Sequence, residues 1–213
     1  MGPDQPLYGL DIETDTTIDG LDPATSPIVA VAVSSAEHDV VLTGPEATIL
    51  GNLDALLLET APGIIVTWNG AAFDLPFLAD RGDHLGVPLG LRLRLDPVLR
   101  ARTPLPGHEG AYRAGWHGHR HLDAYRVYRN DLHRHLELSC SLKSVASFLG
   151  IPAVQVDASR IHELGPEELA AYVASDARVA CAVARRRWAT ATPFLDPVVE
   201  PGEVRPLASP AHR

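Results

Sequence analysis

The sequence predicts an α/β layered fold, with a mixed central β-sheet flanked by helices. Two observations carry this. Short runs with period-two or continuous apolar character lie at residues 7–13, 28–35, 39–44 and 63–69. Stretches with apolar residues at helical spacing lie between and after them. The order is three strands, a helix, a strand, a helix and then further helices.

LYGLDIE (7–13) alternates, with Leu10 and Ile12 on one face and Asp11 and Glu13 on the other. IVAVAVSS (28–35) and DVVLTG (39–44) read as two strands joined by a short turn. Residues 46–60 place Ile49, Leu50, Leu53, Leu56 and Leu57 at helical spacing, which predicts an amphipathic helix. GIIVTWN (63–69) is a continuous apolar run, as expected of a central strand buried on both faces. A short helix is predicted from Phe73 to about Arg81.

After LRLRL (91–95) the pattern dissolves. Residues 96–120 are rich in Pro, Gly, Arg and His, have no clear period, and are expected to form a long functional loop. HLDAYRVY (121–128) resumes as a strand or a strand-to-helix junction. Ser141 is suited to cap a helix over 142–150 that Gly150 closes, and Pro166 to open a last long helix over about 166–190. The expected domain covers 7–192, between a flexible N-terminus (1–6) and a Pro-rich tail (193–213).

With 213 residues and 46% hydrophobic content, the chain suits one globular domain. No run reaches the roughly 18 apolar residues that span a bilayer, and MGPDQPLYGL lacks the basic and apolar segments of a signal peptide. A soluble, cytoplasmic protein without membrane attachment is expected. Cys140 and Cys181 have no metal or disulfide spacing and read as idle thiols. The net charge of −9 argues against a polyanionic partner, but nine arginines face four acids within residues 92–135. Such asymmetry suits a local nucleic-acid surface on an acidic protein. Lys143 is the only lysine, so part of the arginine excess is compositional habit.

The chemical signal comes from acids on faces that ought to be apolar. On the last helix, Leu169, Val173, Ala180 and Val183 form one stripe, with Asp176 in its middle and Tyr172 one turn earlier. A charged Asp there costs several kcal/mol unless it is paired or binds a metal; by itself it reads sooner as an Asp bonded to an Arg or to backbone donors. Asp11 and Glu13, at i and i+2, share one strand face, where their mutual repulsion is relieved by a divalent cation with hard oxygen ligands, Mg²⁺ or Mn²⁺. A solvated strand end is the alternative for that pair, and is the reading for Asp15 and Asp19. In WNGAAFDLPFL (68–78) a buried strand breaks at Asn69-Gly70, and Asp74 follows in an apolar helix start, beyond the end of a central strand where ligand crevices form. Asp123 serves either to support this site or a purely structural end.

Taken in order, these segments resemble the DEDD superfamily of 3′–5′ exonucleases, and most closely the proofreading domain of family B DNA polymerases. LDIET (10–14) is similar to the first exonuclease motif, NGAAFDLP (69–76) to the second, and YVASDA (172–177) to the third in its tyrosine (DEDDy) form. HLDAY (121–125) and SLKSVASFLG (141–150) match two supporting segments, so the likeness spans about residues 7–187. It implies a ribonuclease H-like fold and two divalent ions, with Asp11 bridging them, Glu13 and Asp176 completing the catalytic-metal site, and Asp74 holding the second ion through water. It also implies that Tyr172 orients the attacking water, because a phenol with pKa near 10 is a poor base at neutral pH. Thr14, Asn69, Phe73, Arg120 and His121 are the expected substrate contacts, although Phe73 reads equally as core packing.

The implied activity is release of nucleoside monophosphates from 3′ ends of single-stranded nucleic acid, DNA favoured over RNA. An exoribonuclease or oligoribonuclease on the same fold is one alternative, and a catalytically silent nucleic-acid-binding domain another. A zinc-binding regulatory role would rest on His117, His119 and His121, whose HxHxH spacing is a weak metal pattern and better suits a solvated or phosphate-contacting loop. The 213 residues include no polymerase domain, so a role inside a replicative polymerase is not implied.

Overall fold

A computed structural model describes residues 3–17, 21–98, 103–135 and 139–197, the side chains of 130–135 and 158–159 excepted. In chain order these form β1 (Leu7–Thr14), β2 (Ile28–Ser34), β3 (Asp39–Thr43), α1 (Glu46–Glu59), β4 (Ile64–Thr67) and α2 (Asp74–Leu85). There follow β5 (Leu91–Leu95), β6 (Tyr112–Trp116), β7 (His119–Asp123), α3 (Ala124–His135), α4 (Leu142–Phe148), α5 (Pro166–Arg186) and the short α6 (Trp188–Ala191). The strands make one mixed sheet in the order β3-β2-β1-β4-β7-β6-β5. β4 runs parallel to both β1 and β7, while every other pairing is antiparallel. This is the ribonuclease H-like α/β fold that the sequence predicts. Among the described residues, no helix is long and apolar enough to cross a membrane.

Alternation along the strands divides the core. Leu10 and Ile12 of β1, Val31 and Val33 of β2, and Ile65 of β4 point toward α1 and α2, where they meet Ile49, Leu50, Leu53, Leu57, Leu75 and Phe77. The opposite face is built for close approach: Ala30 and Ala32 of β2 lie against Val173, Ala174 and Ala177 of α5. Gly9 of β1 belongs to that face too, and a Cβ there would stand 1.9 Å from the Ala177 carbonyl oxygen. With small residues on both sides, α5 lies down on β1 and β2. Its start is fixed by Pro166 in the first turn and by the Glu168 carboxylate, which accepts the Gly165 N–H at 3.0 Å.

Three expectations need correction. Residues 96–120 are not one irregular loop, because Tyr112–Trp116 and His119–Asp123 pair as a hairpin that joins the sheet. Its two-residue turn has φ of 46° at His117 and 83° at Gly118, so both central residues are left-handed, as in the turn type that matches strand twist. Nor does the folded body end at 192. Asp196 is fully buried and accepts the Ala114 N–H at 3.1 Å. At the other end, the Pro6 carbonyl accepts the Ile64 N–H at 2.9 Å, so the anchored chain begins before Leu7.

Candidate active site

β1 pairs with β4 only through Gly9, then runs on to Thr14. Its projecting end carries Asp11 and Glu13 on the face toward α5. Because Gly9 admits α5, Asp176 arrives beside them: ligand oxygens of Asp11, Glu13 and Asp176 lie within 4.8 Å of one another. Asp11 keeps partial exposure, whereas Glu13 and Asp176 are buried. Ending β4 at Thr67 also leaves the edge of β1 free, and the Ile12 N–H turns to Asp74. Asp74 opens α2 and is buried, and its charge is among those acting on Asp11 and Glu13.

Four acids in one dry place resist ionisation together. Burial, then the charges of Asp74, Glu13 and Asp176, holds the Asp11 carboxyl well above the usual range. Burial followed by Asp176 and Asp74 pushes Glu13 up to about 8. Burial is also the chief cause at Asp74, raised to about 7 against the pull of its own and the Ile12 backbone amides. Asp176 is raised least freely, because Lys143 opposes its burial. A compact set of hard oxygen donors that repel one another suits a divalent metal ion.

Two further groups complete the cluster. Tyr172, one turn before Asp176, is buried, and burial together with the nearby carboxylates pushes its hydroxyl well above the ordinary phenol value. Lys143 was not singled out from the sequence. Ser141 caps α4 by accepting the Ser144 N–H at 3.2 Å, which sets Lys143 in the first turn. From there its Nζ contacts the Asp176 carboxylate and stands 4.5 Å from the centre of the Tyr172 ring.

The turn after β4 is shaped by Asp123. Asn69 has φ of 67°, and the Asp123 carboxylate accepts both its N–H, at 2.8 Å, and that of Tyr125, at 3.1 Å. Asp123 therefore supports the site by fixing the turn that delivers Asp74. Phe73 is partly buried and lies 5.5 Å, centre to centre, from Phe77, which favours the packing reading. Thr14 is buried beside a register shift at the end of β1. A cavity of about 430 Å³ opens between this turn, the start of α3 and residues 140–142.

Two expected substrate contacts are overturned. His121 is 1% exposed, with Nε2 on the Thr67 hydroxyl at 2.9 Å and Nδ1 on the Asp196 carboxylate at 2.8 Å. Arg120 donates to the Asp196 carbonyl at 3.0 Å and pairs with Ile64, at the end of the sheet away from the acids. Both hold the C-terminal segment. Nor is the HxHxH run a loop site, for zinc or for phosphate. His117 is spent on Asp54 at 2.9 Å and His119 on the Leu57 carbonyl at 2.8 Å, so the three imidazoles serve three separate places.

The family model for the exonuclease domain of DNA polymerase family B matches residues 16–145, more than half of the chain. That match contains Asp74; Asp11, Glu13, Tyr172 and Asp176 lie outside it and reach the same site through the fold. A DNA polymerase of Pyrococcus glycovorans is 28% identical over 192 residues, covering 81% of this chain and 24% of the polymerase. One of Archaeoglobus fulgidus is 31% identical over 88 residues, 41% of this chain and 11% of the polymerase. The solved family B DNA polymerase from Pyrobaculum calidifontis superposes with a TM-score of 0.66 at 22% identity, over 86% of this chain and 24% of that one. The chain thus spans about a quarter or less of the length of these relatives. It belongs to the exonuclease-domain family of the family B DNA polymerases, a family of 3′–5′ exonucleases.

Proposed function

We propose that this cytoplasmic domain hydrolyses single-stranded nucleic acid from its 3′ end with two divalent ions, Mg²⁺ or Mn²⁺, preferring DNA to RNA and releasing nucleoside 5′-monophosphates. The observation that carries the proposal is the meeting of Asp11, Glu13 and Asp176 within 4.8 Å, with Asp74 adjoining. The preference for DNA follows the family. All four carboxylates are present, which disfavours a silent binding domain.

When bound, such an ion pair activates water and neutralises charge on the phosphoryl group and its leaving oxygen. Asp11, Glu13, Asp176 and Asp74 are the residues that would hold the ions. Tyr172 stays protonated at neutral pH, so its hydroxyl orients the attacking water and does not deprotonate it. Lys143 fixes the Asp176 carboxylate and the Tyr172 ring relative to each other. Water adds to phosphorus, the P–O3′ bond breaks, and the shortened strand keeps a 3′-hydroxyl.

The test uses 3′-labelled single-stranded DNA and RNA with Mg²⁺ or Mn²⁺, comparing the protein with Asp11→Ala. Release of labelled mononucleotide from DNA by the unaltered protein alone is the expected result. Equal cleavage by both proteins overturns the assignment, and faster cleavage of RNA overturns the DNA preference.

A further inference from the structure

Outside the carboxylate cluster, Arg81 and Glu46 form a charged pair inside the protein. Arg81 stands on α2, the helix that Asp74 opens, and Glu46 is the first residue of α1. The two side chains are only 7% and 10% exposed. The guanidinium grips the carboxylate at both oxygens, Nε on Oε1 at 2.7 Å and Nη2 on Oε2 at 2.5 Å. Its remaining nitrogen, Nη1, donates to the Pro23 carbonyl at 2.9 Å, while Glu46 Oε1 also accepts the Ile28 N–H at 2.7 Å. One pair thus ties two helices to both ends of the segment 23–28, which leads into β2.

That segment holds the last residues of β1. Glu13 lies opposite Ala30 but Thr14 lies opposite Ile28, so Val29 is an extra residue in β2, a bulge. Just beyond it, the Pro27 carbonyl accepts the Asp15 N–H at 2.9 Å. A bulge raises the local twist and re-aims the side chains beside it, and here the side chain beside it is Glu13. A buried ion pair adds little net stability over apolar residues of the same volume, and the core around α1 and α2 is already filled by Ile49, Leu50, Leu75 and Leu78. Apolar side chains, however, could neither accept the Ile28 amide nor donate to the Pro23 carbonyl. The distinctive effect of the pair is geometric: it ties α2, which begins at Asp74, to the strand end that carries Glu13.

We infer that Arg81 and Glu46 are positioning residues of the carboxylate site, setting Glu13 relative to Asp74 through the Val29 bulge. The inference rests on the proposed exonuclease reading. It separates substitutions that look alike. Lysine at position 81 keeps the charge, but a point donor cannot grip both carboxylate oxygens and the Pro23 carbonyl together. Glutamine at position 46 keeps an acceptor for the Ile28 amide, whereas methionine removes it.

The test compares the protein with Arg81→Lys, Glu46→Met and Glu46→Gln, each checked by a melting curve. Calorimetry with Mn²⁺ alone should show affinity weakened roughly tenfold in Arg81→Lys and Glu46→Met, the lower end of what lost supports of metal ligands cost. Glu46→Gln should recover most of it. At saturating Mn²⁺ and well below Tm, the first two variants should lose kcat on a single-stranded oligonucleotide by a similar factor, with KM unchanged. A lower Tm with Mn²⁺ affinity and kcat unaltered overturns the inference and leaves the pair structural. Where a variant does not fold, hydrogen exchange in the unaltered protein decides. Added Mg²⁺ should slow exchange of the Ile28 amide more than that of the Leu93 amide in β5, and equal slowing overturns the inference. If the unaltered protein neither binds Mn²⁺ nor hydrolyses the oligonucleotide, the exonuclease reading itself fails, and the positioning role falls with it.

Discussion

Gly9 of β1 lies so close to Ala177 of α5 that a Cβ at position 9 would stand 1.9 Å from the Ala177 carbonyl oxygen. The obstacle is helix backbone, which cannot move without carrying Asp176 with it. Gly9→Ala is therefore expected to lift α5 from the sheet and spread the carboxylate cluster. Overpacking of this kind costs about 1–3 kcal/mol. We expect a Tm lower by roughly 5–10 °C and weaker Mn²⁺ binding by calorimetry. An unchanged Mn²⁺ affinity would show that this contact does not set the spacing of the acids.

The metal-free protein should become less stable as pH rises. Glu13 and Asp74 titrate at about 8 and about 7 in the fold, against 4.5 and 3.8 as ordinary side chains. Between those limits the folded state holds protons that the unfolded chain has released, so stability falls from about pH 4 to about pH 8 and levels off above. In EDTA we expect Tm to drop by on the order of 10 °C between pH 5 and pH 8.5. Mg²⁺ should restore most of that loss, and Glu13→Gln should flatten the EDTA profile. A profile in EDTA that rises with pH would contradict the crowding of carboxylates.

Lys143 is the one cation in contact with the cluster among the described residues. Lys143→Met should lower Tm in EDTA at pH 8, since Asp176 loses its counter-charge. It should also lower kcat by roughly tenfold or more, because Tyr172 and Asp176 lose the group that fixes them. Lys143→Arg keeps the charge and should recover part of both. A kcat unchanged in the Met variant would reduce Lys143 to a surface ion pair.

The contrast between Lys143 and Asp176 explains what the sequence disclosed. Asp176 betrays itself locally, since an acid in the apolar stripe of one helix is out of place whatever the partner. Asp11 and Glu13 do the same on one strand, and the α/β order follows from equally local periodicities. Lys143 sits on a capped, polar helix start, and nothing within ten residues tells that α4 crosses α5 there. His121 and Arg120 misled for the same reason: their partner Asp196 lies 75 and 76 positions away, so a buried histidine and a half-buried arginine looked like surface groups. The β6–β7 hairpin was hidden by polar alternation and by a turn whose first left-handed residue is a histidine.

Asp196 is expected to be structural despite its place near the C-terminal end. Its carboxylate meets His121, Arg126 and the Ala114 amide, all within the protein. Asp196→Ala leaves a buried guanidinium and an amide without their acceptor, at a cost of about 3–5 kcal/mol. We expect Tm to fall by on the order of 10 °C, with kcat of the folded fraction near that of the unaltered protein. A large kcat loss at unchanged Tm would mean that this network serves the reaction directly.

Asn69 separates backbone from side-chain function at the turn below Asp74. Its φ of 67° costs an ordinary side chain roughly 1–2 kcal/mol, a penalty that glycine escapes. The Asp123 carboxylate holds the Asn69 N–H, not its side chain, so glycine preserves that bond as well. Asn69→Gly should therefore keep the Tm of the unaltered protein, and Asn69→Ala should lose a few degrees. If the side-chain amide also meets the strand from the mouth of the cavity it lines, both variants should lose a similar factor in kcat/KM on single-stranded DNA. Full activity in Asn69→Gly with a deficit only in Asn69→Ala would assign this residue to the turn alone, leaving Asp123 and the left-handed backbone as its whole contribution.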